Sequence, residues 1–430
     1  MRLISNRALI AGALIAVAVL GQTGADQARA GGVFLYETGT PDMFTGGAGW
    51  AARAQDAATV LTNPAGMARL DGGDLIVGAG ALYGDIEFTA HENTTTDGGG
   101  GGTAVGWLPN GGVYFARPAT DSFWFGIAAT SNFGLTLTYD DDWVGRYYAT
   151  ESTLIGISVL PSVAWRMSPQ LSFGLSLNVM YGAVGHDAAI NNLGPTQPDG
   201  MLSFSAGDMG FGANLGLLWE PTESSRVGVT YTSPVNFEFS DRPDFTGLGP
   251  GIEAALRNAG LLDVDLGIDV TVPQTVMVSF YHDVNEAFAL LGDVGWQDWS
   301  AFGGVDVMVA NDPPTELSIE LPYKDTWRGA IGGKWKPATA WLLSAGVGYD
   351  SAMVEDADRT VGLPVGATWR FAVGGQRDFG ERFDLGCGYT FLAMGDVTVD
   401  QERGNLPGRV SGTYEGAGIH FLSLQGHWKF

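Results

Sequence analysis

The sequence predicts an all-β fold, a transmembrane antiparallel β-barrel of about fourteen strands, and three observations support it. An apolar segment at the start of the chain predicts export. Most of the remaining chain alternates between apolar residues and small or polar ones with a period of two. Short and long connections follow each other between the alternating stretches, as they do in bacterial outer-membrane barrels.

Residues 1–30 have the features of a secretory signal peptide. Arg2 and Arg7 precede an apolar run at 8–20, and Ala28, Arg29 and Ala30 fit a cleavage site. The apolar run is too short for a membrane-spanning helix, the alternative interpretation. The mature chain is therefore expected to begin at residue 31.

Composition excludes several classes of protein. The formal net charge is −25. Removing the three Lys/Arg and the one Asp of the signal peptide makes it about −27, which disfavours nucleic acid as a partner because phosphates need cations. Cys387 is the one cysteine, so an internal disulfide is impossible. The five histidines show no metal-ligand spacing, and no G-x-S-x-G nucleophile motif occurs. We expect no enzyme activity, catalytic residue, metal or cofactor.

The alternation is clearest at 171–181, 341–349 and 383–391. Apolar and aromatic residues occupy the odd positions, and mostly Ser, Gly, Asn, Asp and Thr occupy the even ones. A period of two places each set on one face of a sheet, so one face suits lipid and the other suits a lumen. A soluble β-sandwich also alternates, but the long strands, their aromatic ends and the export signal favour the barrel.

Fourteen strands are predicted, an even number as bacterial barrels require. Their approximate spans are 73–89, 105–117, 122–136, 151–166, 171–188, 203–219, 226–241, 262–281, 287–307, 325–336, 340–354, 365–378, 382–398 and 414–430. Short turns between them are expected on the periplasmic side and longer polar loops on the outer side. Both termini then face the periplasm, and the last strand ends in the aromatic Phe430.

Residues 46–67 do not alternate and are rich in Gly and Ala, so this backbone can approach other backbone closely. Asn63, Pro64, Ala65 and Gly66 predict a turn within it. Pro64 fixes φ and biases Asn63 away from helix, and Gly66 permits a positive φ.

This turn, preceded by Asp56 and the residues up to 60, resembles the hatch motif of the FadL family of outer-membrane long-chain fatty acid and hydrocarbon transport proteins. Stretches at 142–149, 210–216, 296–300 and 324–327 resemble the same family. The resemblance covers essentially the mature chain. It implies a monomeric barrel of residues 71–430 in the outer membrane of a Gram-negative bacterium, with an N-terminal hatch of residues 31–70 inside the lumen.

The resemblance also implies a function, the passive uptake of hydrophobic compounds. A ligand would be caught at outer loops, pass to a pocket above the hatch, and leave sideways through a gap at a kink in the third strand, beside the hatch turn. Long-chain fatty acids are expected ahead of aromatic hydrocarbons. A general diffusion porin is one rival, and a surface adhesin or structural barrel, which would not need the hatch, is another. Expected partners are the ligand, outer-membrane lipid, lipopolysaccharide and the barrel-assembly machinery.

Three groups of site residues follow from the resemblance. The hatch motif and gating residues are Asp56, Asn63, Pro64, Ala65 and Gly66. The kink residues are Asn132, Phe133 and Gly134, where glycine weakens the strand; a strand that ends in a loop is the alternative. Candidates for binding a carboxylate head group are Arg146, Lys324 and Arg328, for each of which a structural salt bridge is the alternative.

Two outer loops depart from some family members. The third, at about 189–202, is short and polar, and the fourth contains one possible short helix at 252–259. The groove that first captures the ligand is therefore expected to be reduced.

Overall fold

A computed structural model describes residues 34–194, 197–311, 313–337, 340–404 and 407–430. The predicted signal peptide and the first three residues of the predicted hatch lie outside this range. The strands are β1 (Asp74–Asp85), β2 (Phe88–Ala90), β3 (Gly106–Pro118), β4 (Phe123–Thr138), β5 (Glu151–Ser168), β6 (Leu171–Ile190), β7 (Gly200–Thr222), β8 (Ser225–Thr232), β9 (Val235–Asp241), β10 (Asp244–Thr246), β11 (Leu266–Val272), β12 (Thr275–Asp283), β13 (Phe288–Gln297), β14 (Gly304–Val309), β15 (Thr315–Glu320), β16 (Thr326–Trp335), β17 (Trp341–Asp350), β18 (Thr368–Asp378), β19 (Phe383–Glu402) and β20 (Arg409–Lys429). The α-helices are Thr59–Thr62, Pro250–Asn258 and Trp299–Phe302, and the 3-10 helices are Pro41–Thr45 and Pro64–Arg69.

Fourteen of these strands form one closed antiparallel barrel. The order is β1-β3-β4-β5-β6-β7-β8-β12-β13-β16-β17-β18-β19-β20, and β20 pairs with β1 from Asp74↔Lys429 to Asp85↔Gly418. The predicted fold class and the predicted strand number are confirmed. Among the described residues, no helix combines the length and the apolar character needed to cross a membrane.

The connections alternate in length, as predicted. Those at one end of the barrel span 119–122, 169–170, 223–224, 284–287, 336–340 and 379–382. Those at the other end span 86–105, 139–150, 191–199, 233–274, 298–325, 351–367 and 403–408. The short turns mark the periplasmic end, where the last strand also finishes.

The spans predicted for three strands were wrong, because 226–241, 262–281 and 287–307 are each divided in two. The breaks fall at Ser233 and Pro234, at Pro273 and Gln274, and at the helix Trp299–Phe302. Proline lacks the N–H that a sheet ladder needs, which explains the first two breaks. The outer parts, β9, β11 and β14, join β15 in a separate four-stranded sheet. We call it the outer sheet.

The two halves of the barrel wall differ in the residues that face inward. Towards the periplasm, Ser172 and Ser176 of β6 are buried inside while Phe173 is exposed outside, as the alternation predicts. Towards the outer end, the inward residues are apolar instead, for example Val399 and Phe421. The outer sheet packs its Phe237 and Phe239, among others, against a neighbouring group of inward-facing apolar residues that includes Met180. The lumen is therefore lined by a mixture of polar and apolar residues near the periplasm, where Leu160 and Ala164 also face inward, and mainly by apolar residues near the cell exterior.

Residues 34–73, the N-terminal segment, run inside the barrel and are almost entirely buried up to Ala68. Wall glycines allow its backbone to approach the sheet. A Cβ on Gly228 would lie only 1.8 Å from the carbonyl oxygen of Ala51, and one on Gly174 would lie 2.1 Å from the nitrogen of Ala65. No larger residue fits at these two positions without a backbone shift.

Candidate functional site

The turn at Asn63 is held by the asparagine side chain. Asn63 is extended, with φ −164 and ψ 102, as the following proline requires. Its Oδ1 accepts a hydrogen bond from Ala65 N at 3.0 Å, and its Nδ2 donates to the carbonyls of Ala51 at 2.6 Å and Leu217 at 3.1 Å. Asn63 thus caps the 3-10 helix Pro64–Arg69 and joins two parts of the N-terminal segment to β7.

The reason expected for Gly66 was wrong. This glycine lies within the 3-10 helix and does not have a positive φ. A Cβ there would lie 2.1 Å from Thr59 Oγ1 and 2.7 Å from Ala54 Cβ. Lack of space, rather than backbone conformation, requires glycine at this position.

Asp56 belongs to a buried ion cluster inside the N-terminal segment. The Arg53 guanidinium donates to Asp42 at 2.6 and 3.0 Å and to Asp56 at 2.5 and 2.6 Å. Burial by itself would raise the pKa of Asp56, but the charge and hydrogen bonds of Arg53 lower it to about 2. The cluster ties three points of the segment together.

The third barrel strand, β4, is irregular where the interruption is predicted. Its register against β5 shifts between Ser131 and Phe133, and Gly134 has a φ of 135°. The strand continues to Thr138, so it does not end in a loop there. On its other side β4 pairs with β3 only as far as Thr130↔Gly112, so residues 106–111 of β3 pair with β1 but not with β4. Between this point and the outer end of the barrel, the wall contains a stretch in which β3 and β4 are not paired.

The start of the N-terminal segment lies at the unpaired stretch. Phe34 forms an isolated antiparallel bridge with Phe133, and Leu35 N donates to the Asn132 carbonyl at 3.1 Å. The Phe34 ring also packs edge-on against Trp299, with centroids 5.4 Å apart. Asn132, Phe133 and Gly134 are thus placed beside the beginning of the segment.

The expected position of the hatch turn beside the kink was wrong. The hatch turn contacts Gly174 of β6. Gly174 pairs with Ala164 of β5, and Ala164 pairs with Trp124 of β4. Trp124 is nine residues from Phe133, or about 30 Å along the strand. The family resemblance named both features, but the sequence contains no signal for their separation.

An apolar cavity of about 290 Å³ adjoins the unpaired stretch. Inward-facing Phe421 and Leu392 line one part, and Leu108 of β3 lines another. Ile157, also in the lining, is 47% exposed on the outside of the wall. The lining therefore runs from the lumen to the lipid-facing surface, between the edges of β3 and β4. Arg370 is the charged residue in it.

A second cavity, of about 120 Å³, lies nearer the outer end. The outer sheet contributes Ile268 and Val305, and the loop 351–367 contributes Leu363. Tyr323 and Arg403 add polar groups.

Arg370 belongs to a buried charged cluster between the wall and the N-terminal segment. Its Nη1 lies 2.6 and 2.7 Å from the two carboxylate oxygens of Glu37, and its Nε lies 2.8 Å from Asp350. Arg328 also reaches Asp350, at 3.4 Å, and Asp293, at 3.4 Å. Sequence reasoning missed all of these residues except Arg328. The cluster residues that belong to barrel strands occupy positions that the alternation assigns to the inside. Charged residues at such inward positions were therefore the signal that could have located the cluster.

The three predicted head-group residues lie in different places. Arg146, in the outer connection 139–150, pairs with Asp199 at 2.9 Å. Lys324, in the connection 298–325, is mostly exposed and pairs with Glu355. Arg328 is buried in the lumen, where its Nη2 donates to the Gly46 carbonyl at 2.5 Å and its guanidinium covers Tyr36. The structure does not bring the three together.

A family model described as outer membrane protein transport protein (OMPP1/FadL/TodX) matches residues 21–430. The chain belongs to this family. The long-chain fatty acid transport protein of Escherichia coli O6:H1 is 25% identical, over 94% of this chain and 93% of its own length. Outer membrane protein P1 of Haemophilus influenzae is 27% identical, over 81% of this chain and 84% of its own length.

Solved structures of the FadL family share the fold. A Pseudomonas aeruginosa FadL homologue has a TM-score of 0.83 at 20% identity and covers 93% of this chain and 100% of its own. The Pseudomonas putida toluene transporter TodX has a TM-score of 0.67 at 16% identity, with 93% and 100% covered. The predicted family is confirmed, and the chain is an outer-membrane transport protein of a Gram-negative bacterium.

Proposed function

We propose that this FadL-family protein takes up hydrophobic compounds across the outer membrane and releases them sideways through its wall, with long-chain fatty acids ahead of aromatic hydrocarbons. One observation carries the proposal. The apolar cavity beside β4 is lined by residues that face the lumen and by residues that face lipid, across a stretch where β3 and β4 do not pair. Such a lining gives an apolar ligand a path that avoids water.

Passive binding is sufficient for this task. Burying each CH₂ group contributes about 0.8 kcal/mol, so ten groups contribute about 8 kcal/mol to capture. The periplasmic half, by contrast, is filled by the buried N-terminal segment and leaves an acyl chain no comparable apolar space. A ligand that reaches the cavity is therefore favoured to leave towards lipid rather than towards the periplasm.

The proposed route has three steps, which are capture at the outer loops, passage through the two cavities, and release past Phe34. Arg146 and Lys324, in outer loops, would meet a carboxylate during capture. The ligand would then occupy the cavity under the outer sheet and, after it, the cavity beside β4. Residues 31–70 would serve as a hatch that blocks the way below, with the Asn63 turn and Asp56 holding its shape and Arg328 holding its backbone. Release would need Phe34 to leave its place against Phe133.

Two observations order the substrates. The curated E. coli relative, which is named for long-chain fatty acids, aligns over nearly the whole chain. Arg370 also provides a cation in the cavity lining, and a carboxylate would use it whereas a hydrocarbon would not. The aromatic rings of Phe34, Phe133 and Trp299 and the structural likeness to TodX favour an aromatic hydrocarbon as the second candidate.

Uptake of labelled oleate, toluene and a small hydrophilic sugar tests the proposal. The host is a strain without its own transporter, with and without this protein. Saturable uptake of oleate supports the proposed order, and uptake of toluene alone supports the second candidate. Faster entry of the sugar alone would contradict both and would support a general diffusion porin. Heat-modifiable migration on a gel checks that the barrel is folded.

A further inference from the structure

We propose that the carboxylate of an incoming ligand replaces Glu37 on Arg370 and thereby releases the start of the N-terminal segment from the barrel wall. This inference rests on the proposed function and deepens it. It assigns Glu37 and Arg370 as specificity-determining residues, and it makes a carboxylate-bearing amphiphile the ligand that opens the lateral path.

Arg370 links the cavity to the segment. Its side chain is part of the cavity lining. The same guanidinium binds both oxygens of Glu37, at 2.6 and 2.7 Å, and its Nη2 lies 3.4 Å from the Phe34 carbonyl. A ligand that fills the cavity with its acyl chain therefore places its head group near an arginine that the segment already occupies.

Glu37 stands next to the residues that span the unpaired stretch of wall. Leu35 N donates to the Asn132 carbonyl of β4, and Asn110 of β3 donates to the Glu37 carbonyl at 2.6 Å. Residues 34–37 thus touch both edges of the gap between β3 and β4. Freeing Glu37 from Arg370 removes the charged contact that holds this short piece in place.

Charge balance decides which ligands are able to drive the exchange. Glu37 is fully buried and Arg370 nearly so. Withdrawing Glu37 with nothing in its place would leave a buried guanidinium without one of its two carboxylate partners, which is strongly unfavourable. A ligand carboxylate restores the lost charge and again offers Arg370 Nη1 two oxygen acceptors. An alcohol or a hydrocarbon restores neither.

The test compares labelled oleate with labelled oleyl alcohol, which has the same chain and no carboxylate, in transporter-deficient cells. The variants are the wild type and Glu37→Gln. For the wild type we expect oleate uptake to exceed alcohol uptake by about tenfold or more. Glu37→Gln should raise alcohol uptake by about tenfold, because the start of the segment is no longer held to Arg370 by an ion pair, without lowering oleate uptake.

Glu220→Gln is the matched control. Glu220 pairs with Arg69, so this change also removes an ion pair between the N-terminal segment and the wall, but at the periplasmic end and outside both cavities. It should leave the ratio of oleate to alcohol uptake at the wild-type value. A change in this ratio equal to that of Glu37→Gln would show a general loosening of the segment and would overturn the exchange.

A second variant separates binding from opening. Glu37→Gln combined with Arg370→Gln keeps the charge of the cluster balanced but removes the cation. Relative to Glu37→Gln alone, it should raise the oleate concentration for half-maximal uptake by about tenfold and leave the alcohol unchanged. Equal effects on both ligands, or equal uptake of both by the wild type, would overturn the exchange alone. No uptake of either ligand above the empty host would overturn the proposed function as well.

Discussion

Replacing Asn63 with alanine should detach part of the N-terminal segment from the wall while the barrel stays closed. The side chain makes three hydrogen bonds, with Ala51, Ala65 and Leu217, in a fully buried place. Asn63→Ala leaves Ala51 O and Ala65 N without these partners. Each buried polar group that loses its partner costs about 1–3 kcal/mol, so the segment should lose about 2–6 kcal/mol of local stability.

Hydrogen exchange measured by mass spectrometry checks this prediction. Peptides from residues 34–70 should exchange at least tenfold faster in Asn63→Ala, whereas peptides from β19 and β20 should be unchanged. Asn192→Ala is a matched control, because Asn192 also makes three hydrogen bonds, with Pro198, Gly247 and Gly249, but in the outer loops. Equal protection of the segment in the wild type and Asn63→Ala would refute the argument that this side chain anchors it.

Three further predictions concern the hatch turn and the kink, the fit of the segment, and pH. Pro64→Ala, or a large residue at Gly134, should lower oleate uptake in whole cells while heat-modifiable migration on a gel is kept. At Gly134 a Cβ would lie 2.3 Å from Leu154 O. Loss of heat-modifiable migration would mean that the variant had only failed to fold. Gly228→Ala should lower the free energy of unfolding in urea by about 1–3 kcal/mol, and Gly329→Ala, where a Cβ has space, should lower it much less. Equal unfolding midpoints for the two variants would contradict the close approach of Ala51 to Gly228. Because the pKa of Asp56 is lowered to about 2, its charged form should stabilise the protein by about 2 kcal/mol above pH 4. This stabilisation should be lost as the pH falls towards 2. A difference in unfolding free energy between the wild type and Asp56→Asn that does not change with pH would contradict this prediction.

Alternation predicted the barrel because it reports burial on one face of a strand. It failed at the outer ends because the outer sheet alternates as well. Val235, Phe237 and Phe239 continue the period of β8 past Pro234, although they have left the wall. Only the prolines marked the change of sheet, and a proline at a strand end is compatible with either arrangement.

The site was less accessible to sequence reasoning than the fold. Glu37 and Arg370 are 333 residues apart, and nothing local to either one indicates that they meet. Their contact depends on how the N-terminal segment threads through the barrel, which small residues permit but do not specify. Arg328 was found through a resemblance to family motifs, and the structure places it against Gly46 and Tyr36 rather than in a cavity lining described above.

Locking Phe34 to the wall is the most direct test of lateral release past this residue. Phe34 and Phe133 face each other in an antiparallel bridge, a pairing whose Cα separation of about 4.5–5.5 Å suits a disulfide. Phe34→Cys with Phe133→Cys is made in a Cys387→Ala background, and oleate uptake is measured oxidised and then reduced, with each single cysteine variant as the control. If the ligand leaves past Phe34, oxidation should abolish oleate uptake in the double cysteine variant alone, and reduction should restore it. Equal uptake by the oxidised and reduced pair would show that the ligand leaves by another route.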